Sequence, residues 1–516
     1  MKKVVLINFT SMYSFSVRSL AAYSKTRGID VSLVHYEAPH DDMFGLLPEK
    51  SLELLLEKCA GSDVVGISVL STHYLKRAVQ INGYLKKKTG ARIIWGGVPV
   101  ICDPHFYLKY ADYVCAGEGE ITLMEFLTGE NPSAAEGLGY KTSEGKIRVN
   151  PIPPLVDVND LPVASLDLEN TYILNSSSLL SLKEDPAPLL RLSLTKGYRL
   201  FSMRGCPYAC AFCSNNRLSR AYRGKGMLLR AVQPSKIISE LEKGKEIIPG
   251  LNRVLFCDDD FMARPENELD ELFREYAEKI GLPVSNMQAT VNSLTEKKLA
   301  LLKKYGIKLE SVKIGLQAAN ERVNKEVFRR FFDKEKYFRC LEMLASYGIP
   351  VILDIISDNP YEELSDKYES LHFYREAARK VRKASTISSP ITVMDHKLMF
   401  YPGTELYDRA MNDRIIPEDY IEKVLLRRST VRAQKGDTDD DAFLVALFSQ
   451  AALKGRGILE PVFSILNIKP LFLAAYRLHF FRLGIVSAKI LRDISRAVRR
   501  KIYRRSKENA VYIRTG

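Results

Sequence analysis

Cysteine is scarce and unevenly placed in this chain: Cys59, Cys102, Cys115, Cys206, Cys210, Cys213, Cys257 and Cys340 are the only eight among 516 residues. A secreted disulfide framework is denser and sits in a smaller chain, so the spacing points to a reducing, cytoplasmic compartment. No apolar h-region with a small-residue cleavage site follows the opening run MKKVVLINFT, which reads as a first strand, and no secretory signal is expected. Every apolar stretch is broken by charge before it reaches the ~18 residues of a spanning helix. Internal repeats and low-complexity tracts are also missing. So is a chain-wide basic surface: of the net charge of +14, +12 falls in residues 451–516, where 15 Lys or Arg face only Glu460, Asp493 and Glu508. The first 450 residues are nearly neutral, which argues against a nucleic-acid partner.

What is present is a core-forming chain, 46% hydrophobic, long enough for two or three domains. Residues 1–130 alternate β-branched runs (KVVLINF, DVSLVHY, DVVGISVL, ARIIWGG, ADYVCAG) with amphipathic stretches such as SLELLLEKCA. Single helices between strands imply right-handed crossovers and a doubly wound parallel sheet. Ligands bind such sheets beyond the carboxyl ends of the strands. There the chain offers Ser68 and Ser71, then Gly96 and Gly97, then Gly117, Glu118 and Gly119. Small residues at three successive strand ends suit a large flat ligand near backbone, although each glycine alone also reads as an ordinary turn residue. Residues 131–195 are rich in Pro, Ser and Asp and read as a linker. Residues 196–410 carry a second βα series with candidate strands RLFSM, RVLFC, SNMQATV, SVKIGL, VILDIIS and KLMFYP. Six such units predict a partial TIM-like barrel with its chemistry at the carboxyl ends of the strands. Residues 411–516 form a helical, basic extension.

The first barrel strand leads into RGCPYACAFCSNN, which places Cys206, Cys210 and Cys213 within eight positions. Thiolates are soft ligands for iron and zinc, and this spacing gathers three sulfurs on one loop. A four-iron, four-sulfur (4Fe-4S) cluster held by three cysteines keeps one iron open to a substrate or cosubstrate. A structural zinc site wants a fourth ligand, and no histidine lies between His105 and His372 to supply one.

The C-x3-C-x-Φ-C pattern, with an aromatic before the last cysteine, resembles that of the radical S-adenosylmethionine (SAM) enzymes; here the aromatic is Phe212. The resemblance implies that Cys206, Cys210 and Cys213 hold a 4Fe-4S cluster and that S-adenosyl-L-methionine chelates the free iron, with Phe212 near its adenine. Reductive cleavage of SAM by a low-potential electron donor then yields a 5'-deoxyadenosyl radical. FCDDDF resembles the family's acidic strand end near the SAM amino group, which implicates Asp258 and Asp259. VKIGLQAANERVN resembles its fourth-strand segment and places Gln317 near the ribose. DIISDNPYEE and FYPGTELYDRA continue the match, the latter closing the barrel around Pro402 to Thr404. The N-terminal region, through IIWGGVPV and ADYVCAGEGEITLMEFL, resembles the cobalamin (B12)-binding domain that precedes the barrel in one branch of this family. Ser68, Ser71, Gly96, Gly97, Gly117 and Glu118 are the implied cobalamin contacts. The D-x-H-x-x-G signature that supplies a cobalt ligand elsewhere is absent, as in much of this branch. The nearby His73 is expected on a helix surface.

The branch implies methyl transfer to an unactivated carbon; the other readings are a radical rearrangement or cyclisation without methyl transfer, and a non-catalytic iron-sulfur or corrinoid sensor. A tRNA methylthiotransferase is disfavoured, because Cys59, Cys102 and Cys115 are too dispersed to form a second cluster motif. The extension PVFSILNIKPLFLAAYRLHFFRLGIVSAKILRDISRAVRRKIYRRSK supports two readings. One is a helix at an anionic lipid surface, with Phe472, Phe480 and Phe481 inward and Arg499, Arg500, Arg504 and Arg505 toward headgroups; the other is an extension packed on the barrel. The first reading makes the expected substrate a small hydrophobic molecule such as an isoprenoid lipid or tetrapyrrole, met by a cytoplasmic enzyme peripheral to the membrane.

Overall fold

The computed structural model describes residues 2–9, 12–39, 44–164, 166–426, 447–448, 451 and 464–477. The chain divides into two compact units: residues 1–315, 324–332 and 399–428, and residues 316–323, 333–398 and 429–516.

The first unit begins with the doubly wound sheet. Its parallel strands β1 (Lys3–Asn8), β2 (Asp30–Tyr36), β3 (Val64–Ser68), β4 (Arg92–Gly96) and β5 (Tyr113–Cys115) are joined through helices. Both faces are covered, and for that reason the strands are almost continuously apolar rather than alternating. Along β1 the two faces separate. Val5 and Ile7 pack with Leu55, Ala78 and Ile81 of helices Glu49–Cys59 and Leu75–Lys88, whereas Val4 and Leu6 pack with Val17, Leu123 and Phe126 of helices Phe15–Lys25 and Gly119–Thr128. Trp95 is fully buried on β4 and donates from Nε1 to Asn82 at 2.9 Å.

Residues 131–195, expected as a linker, contribute β6 (Leu138–Lys141), β7 (Ile147–Val149), β8 (Thr171–Leu174) and β9 (Leu179–Ser181), besides the helix Ala187–Lys196. They extend both edges, giving the order β7-β6-β5-β4-β3-β1-β2-β8-β9. These strands are three or four residues long, and short edge strands carry too little hydrophobic periodicity to stand out from Pro- and Ser-rich sequence. The strand order reverses between β1 and β3, which makes the crevice beyond Asn8 and Ser68 the topological switch point of the sheet.

The first unit continues into the barrel. β10 (Tyr198–Leu200), β13 (Val254–Phe256), β14 (Val284–Ala289) and β15 (Val312–Gln317) pair in parallel in that order, with the 312–315 part of β15 counted in this unit. A short antiparallel pair, β11 (Met203–Arg204) with β12 (Arg230–Ala231), stands beside them. In the second unit β16 (Val351–Ser357) and β17 (Ile391–Lys397) pair in parallel along seven residues. These are the six βα strands of the partial barrel. The sixth is displaced from its expected place: it occupies Ile391–Lys397, so that of KLMFYP only Lys397 belongs to it. Pro390 immediately precedes the strand and the β-branched Ile391, Thr392 and Val393 favour it, whereas buried Leu398, Met399 and Phe400 belong to the segment that leaves it.

Candidate active site

The cysteine loop leaves β11 at Gly205 and enters the helix Ser214–Ala221. Gly205 has φ of 85°, and a Cβ there would fall 2.3 Å from the Leu228 carbonyl oxygen, so the turn admits only glycine. The stem before it is clamped from two sides. The fully buried Asp258 carboxylate accepts from the Ser202 N–H at 2.6 Å, the Met203 N–H at 2.7 Å and the Ser202 hydroxyl at 2.6 Å. Arg204 pairs with Glu118 at 3.1 Å and Glu120 at 2.7 Å, and donates to Ser19 at 2.8 Å. Beyond the loop's middle, the Ala211 N–H donates to the Phe328 carbonyl and the Leu406 N–H to the Ala211 carbonyl. Phe212 rests edge-on against Phe328, with ring centroids 4.9 Å apart.

Each of the three sulfurs faces a donor. Burial pushes the Cys206 thiol up to about 12, and the Tyr208 N–H, bonded to that sulfur, opposes the shift. Burial pushes Cys213 up to about 11, opposed by the Asn215 N–H and the Ser214 side chain. Cys210 is 6% exposed, and its sulfur lies 3.5 Å from Nη1 of Arg330. A neutral thiol has no need of such donors. Three soft sulfurs on one loop, each with a hydrogen-bond donor, suit thiolates bound to iron. Among the described residues no group of three or more His, Cys, Asp and Glu is gathered around a single ion. A multi-iron cluster takes one thiolate per iron and has no need of that convergence.

The acidic strand end divides its roles. Asp258 faces inward to the loop stem, and burial raises its carboxyl to about 6. Asp259 stays exposed, accepts from Asn215 Nδ2 at 2.9 Å, and its charge bears on both Cys206 and Cys213. Asp260, which the sequence reading passed over, accepts from the Thr290 hydroxyl at 2.9 Å and from that of Ser293, and Thr290 in turn meets the Tyr208 hydroxyl at 2.8 Å. The chain Asp260–Thr290–Tyr208 thus braces the loop from β14. Arg330 and Glu120 were likewise missed; neither belongs to a spacing pattern, and only the fold brings them to the loop. Gln317 lies in the second unit at the end of β15. With φ of 64° it adopts the left-handed conformation, and it lines a pocket with Ala318, Ser357, Lys367 and Tyr374.

At the sheet's crevice Ser68 ends β3, Gly96 ends β4, and Gly117 and Glu118 follow β5. Ser71 Oγ lies 2.8 Å from His73 Nδ1. His73 is not on a helix surface, as expected, but 3% exposed in the turn Thr72–Tyr74, between the rings of Phe44 and Tyr401. Its imidazole packs there as an aromatic ring. Glycine is demanded at Gly97 by φ of 112° and by the Val69 carbonyl oxygen, 2.1 Å from where a Cβ would stand; at Gly117 the Tyr222 hydroxyl occupies that place at 2.5 Å. Glu118 joins Arg204 and Arg230.

Two family matches agree with this arrangement. Residues 200–373 match the radical SAM superfamily, and residues 3–127 match the B12 binding domain. The chain is therefore a radical SAM enzyme. Its N-terminal sheet is a B12-binding domain, which makes it one of the cobalamin-dependent kind, with a 4Fe-4S cluster, SAM and cobalamin as its cofactors. It is 24% identical over 365 residues to the uncharacterized methyltransferase PH0819 of Pyrococcus horikoshii, covering 69% of this chain and 70% of that one. Its fold is shared by the radical S-adenosylmethionine methyltransferase TsrM of Kitasatospora setae, solved with cobalamin and the cluster bound: TM-score 0.61, 16% identity, 80% of this chain and 78% of that chain. The cobalamin-dependent S-adenosylmethionine radical enzyme OxsB, solved in its apo form, matches with TM-score 0.64 at 14% identity, over 97% of this chain and 81% of that chain.

Proposed function

We propose that the enzyme transfers a methyl group from SAM, by way of cobalamin, to an unactivated carbon of a hydrophobic small molecule. The observation that carries this reading is the pairing of a B12-binding domain with a radical SAM domain in a chain whose relatives in sequence and in fold include methyltransferases. When bound, the cluster and SAM supply a 5'-deoxyadenosyl radical and cobalamin supplies a transferable methyl group. The chain's own residues hold and shield. Cys206, Cys210 and Cys213 are the iron ligands; Asp259, open beside two of them, takes the SAM amino group, Phe212 flanks the adenine and Gln317 approaches the ribose. Asp258 acts one step back by fixing the loop stem. Ser68, Ser71, Gly96, Gly97, Gly117 and Glu118 form the rim on which cobalamin rests.

The C-terminal extension supports a hydrophobic substrate. In its described part Ile465, Ile468 and Leu471 are 50–58% exposed at helical spacing, an apolar stripe in a segment of high positive charge. Phe472 is instead turned into the second unit against Tyr368, 5.4 Å between centroids; Phe480, Phe481, Arg499, Arg500, Arg504 and Arg505 lie outside the described residues. No helix among the described residues is long and apolar enough to cross a membrane.

The test is anaerobic incubation of reconstituted enzyme with SAM labelled in its methyl group, with and without hydroxocobalamin and reductant. Methyl transfer predicts S-adenosylhomocysteine that depends on added cobalamin, besides 5'-deoxyadenosine. Formation of 5'-deoxyadenosine alone would discard methyl transfer in favour of a rearrangement or cyclisation.

A further inference from the structure

We propose that Arg330 sets the reduction potential of the iron-sulfur cluster by donating a charged hydrogen bond to the sulfur of Cys210. The inference rests on the three-cysteine cluster assignment. Of the three sulfurs, Cys206 and Cys213 face the backbone N–H groups of Tyr208 and Asn215, neutral donors that any sequence supplies. Cys210 alone faces a guanidinium, with Nη1 at 3.5 Å.

The geometry holds that guanidinium in place. Nη2 of Arg330 donates to the Gly315 carbonyl at 2.8 Å, on β15, and its backbone N–H donates to the Asn324 carbonyl at 2.8 Å. The ring of Tyr208, inside the cysteine loop itself, lies 6.0 Å from its Cζ. The side chain therefore bridges a barrel strand and the loop, with one arm anchored on backbone and the other on sulfur. The adjacent Arg329 turns to a different partner, pairing with Glu405.

The energetic consequence follows from charge. A 4Fe-4S cluster in its 2+ state accepts one electron to become 1+; no bond forms or breaks and no proton moves. The electron comes from a low-potential one-electron donor, as the reaction already requires. The added negative charge is shared with the cysteine sulfurs, so a cation fixed against one of them favours the reduced state more than the oxidised one. Hydrogen bonds to sulfur, net charge and solvent exposure are the levers that set cluster potentials, and Cys210 is the most buried of the three ligands. A charge-assisted bond is stronger than a neutral one, and more so away from water. Arg330 thus makes a very negative couple easier to reduce. This matters in an enzyme whose every turnover begins with that electron.

The experiment uses the full chain, reconstituted anaerobically with iron and sulfide and titrated potentiometrically with redox mediators in the absence of SAM, with reduction followed by electron paramagnetic resonance. The variants are Arg330→Met, which removes charge and donor, and Arg330→Gln, which keeps an N–H but no charge. Iron content is measured for each. At the potential where the wild-type cluster is half reduced, the ratio of reduced to oxidised cluster is expected to fall roughly tenfold in Arg330→Met, which for one electron is a shift of about 59 mV to more negative potential. Arg330→Gln should shift the same way, by less. An unchanged midpoint in a variant with full iron overturns the proposal. So does weaker SAM binding with an unmoved midpoint, which would make Arg330 a substrate contact. If neither variant holds iron, Arg330 is an assembly residue and the proposal falls as well. Failure of the wild-type chain to hold iron would count against the cluster assignment instead.

Discussion

Gly96 and Gly97 are neighbours at the end of β4, yet they are glycine for different reasons. At Gly97 the backbone itself is the obstacle: φ is 112°, and the Val69 carbonyl oxygen stands 2.1 Å from where a Cβ would be. The Val69 N–H also donates to the Gly96 carbonyl at 2.8 Å, so the chain segments after β3 and β4 are stitched together at this point. A methyl group at position 97 forces them apart. At Gly96 an added Cβ meets only the Cys115 Cβ at 3.8 Å, an ordinary contact. Gly97→Ala is expected to cost ~2 kcal/mol or more in stability, with cobalamin uptake lost as a consequence of the damaged strand ends. Gly96→Ala should keep its melting temperature and weaken cobalamin retention alone, provided the corrinoid rests on the β4 end. Thermal denaturation beside cobalt content after desalting separates the two; stable protein with full cobalt in both variants would remove these glycines from the site.

The elements around the loop explain what the sequence could and could not reveal. The cysteine spacing is a local pattern, so the loop was legible from RGCPYACAFC alone, as were β1 to β5, whose apolar runs are continuous because both faces are covered. The edge strands β6 to β9 were not legible, since their stability comes from a neighbouring strand and not from their own residues. The same holds for the double clamp on the loop stem, in which Asp258 is contributed by the segment after β13 and Glu120 by the first turn of helix Gly119–Thr128, 84 positions before Arg204. Spacing announces none of these. The clamp makes Asp258 the element's keystone: it satisfies two buried backbone N–H groups and one hydroxyl immediately upstream of Gly205. Asp258→Ala strands those donors, at a cost of roughly 2–4 kcal/mol. Iron content after reconstitution is expected to fall with stability, because the stem aims the loop. Asp258→Asn, whose carbonyl can keep both backbone donors, should recover most of each. Equal losses in the two variants would mean that the charge, rather than the hydrogen bonds, is what the stem requires.

Across the whole first unit, two ion networks, one buried and one partly buried, tie the B12-binding sheet to the barrel's first βα unit. In one, Arg18 of helix Phe15–Lys25 meets Glu240, which also accepts from the Tyr198 hydroxyl at 3.2 Å on β10; in the other, Glu118 and Glu120 hold Arg204 and Arg230. A buried pair is costly to break by removing one partner, so these networks fix one docking geometry more than they add stability. They bear on whether the two cofactor sites depend on each other for assembly. The rim proposed for the corrinoid is drawn from the ends of β3, β4 and β5, whose hydrophobic cores are built within the sheet and its helices, and it includes no residue of 206–213. Those networks attach on the barrel side at Tyr198, Arg204, Arg230 and Glu240, not at the cysteines. Replacing a cluster ligand should therefore empty one site and spare the other. For Cys210→Ala, the expectation is loss of the iron and of all 5'-deoxyadenosine formation, with about one cobalt per chain retained after reconstitution and desalting, as in the wild type. Cobalt lost together with iron, in a chain whose far-ultraviolet circular dichroism is unchanged, would show instead that the cluster organises the corrinoid site, and the order of cofactor loading would then run from iron to cobalt.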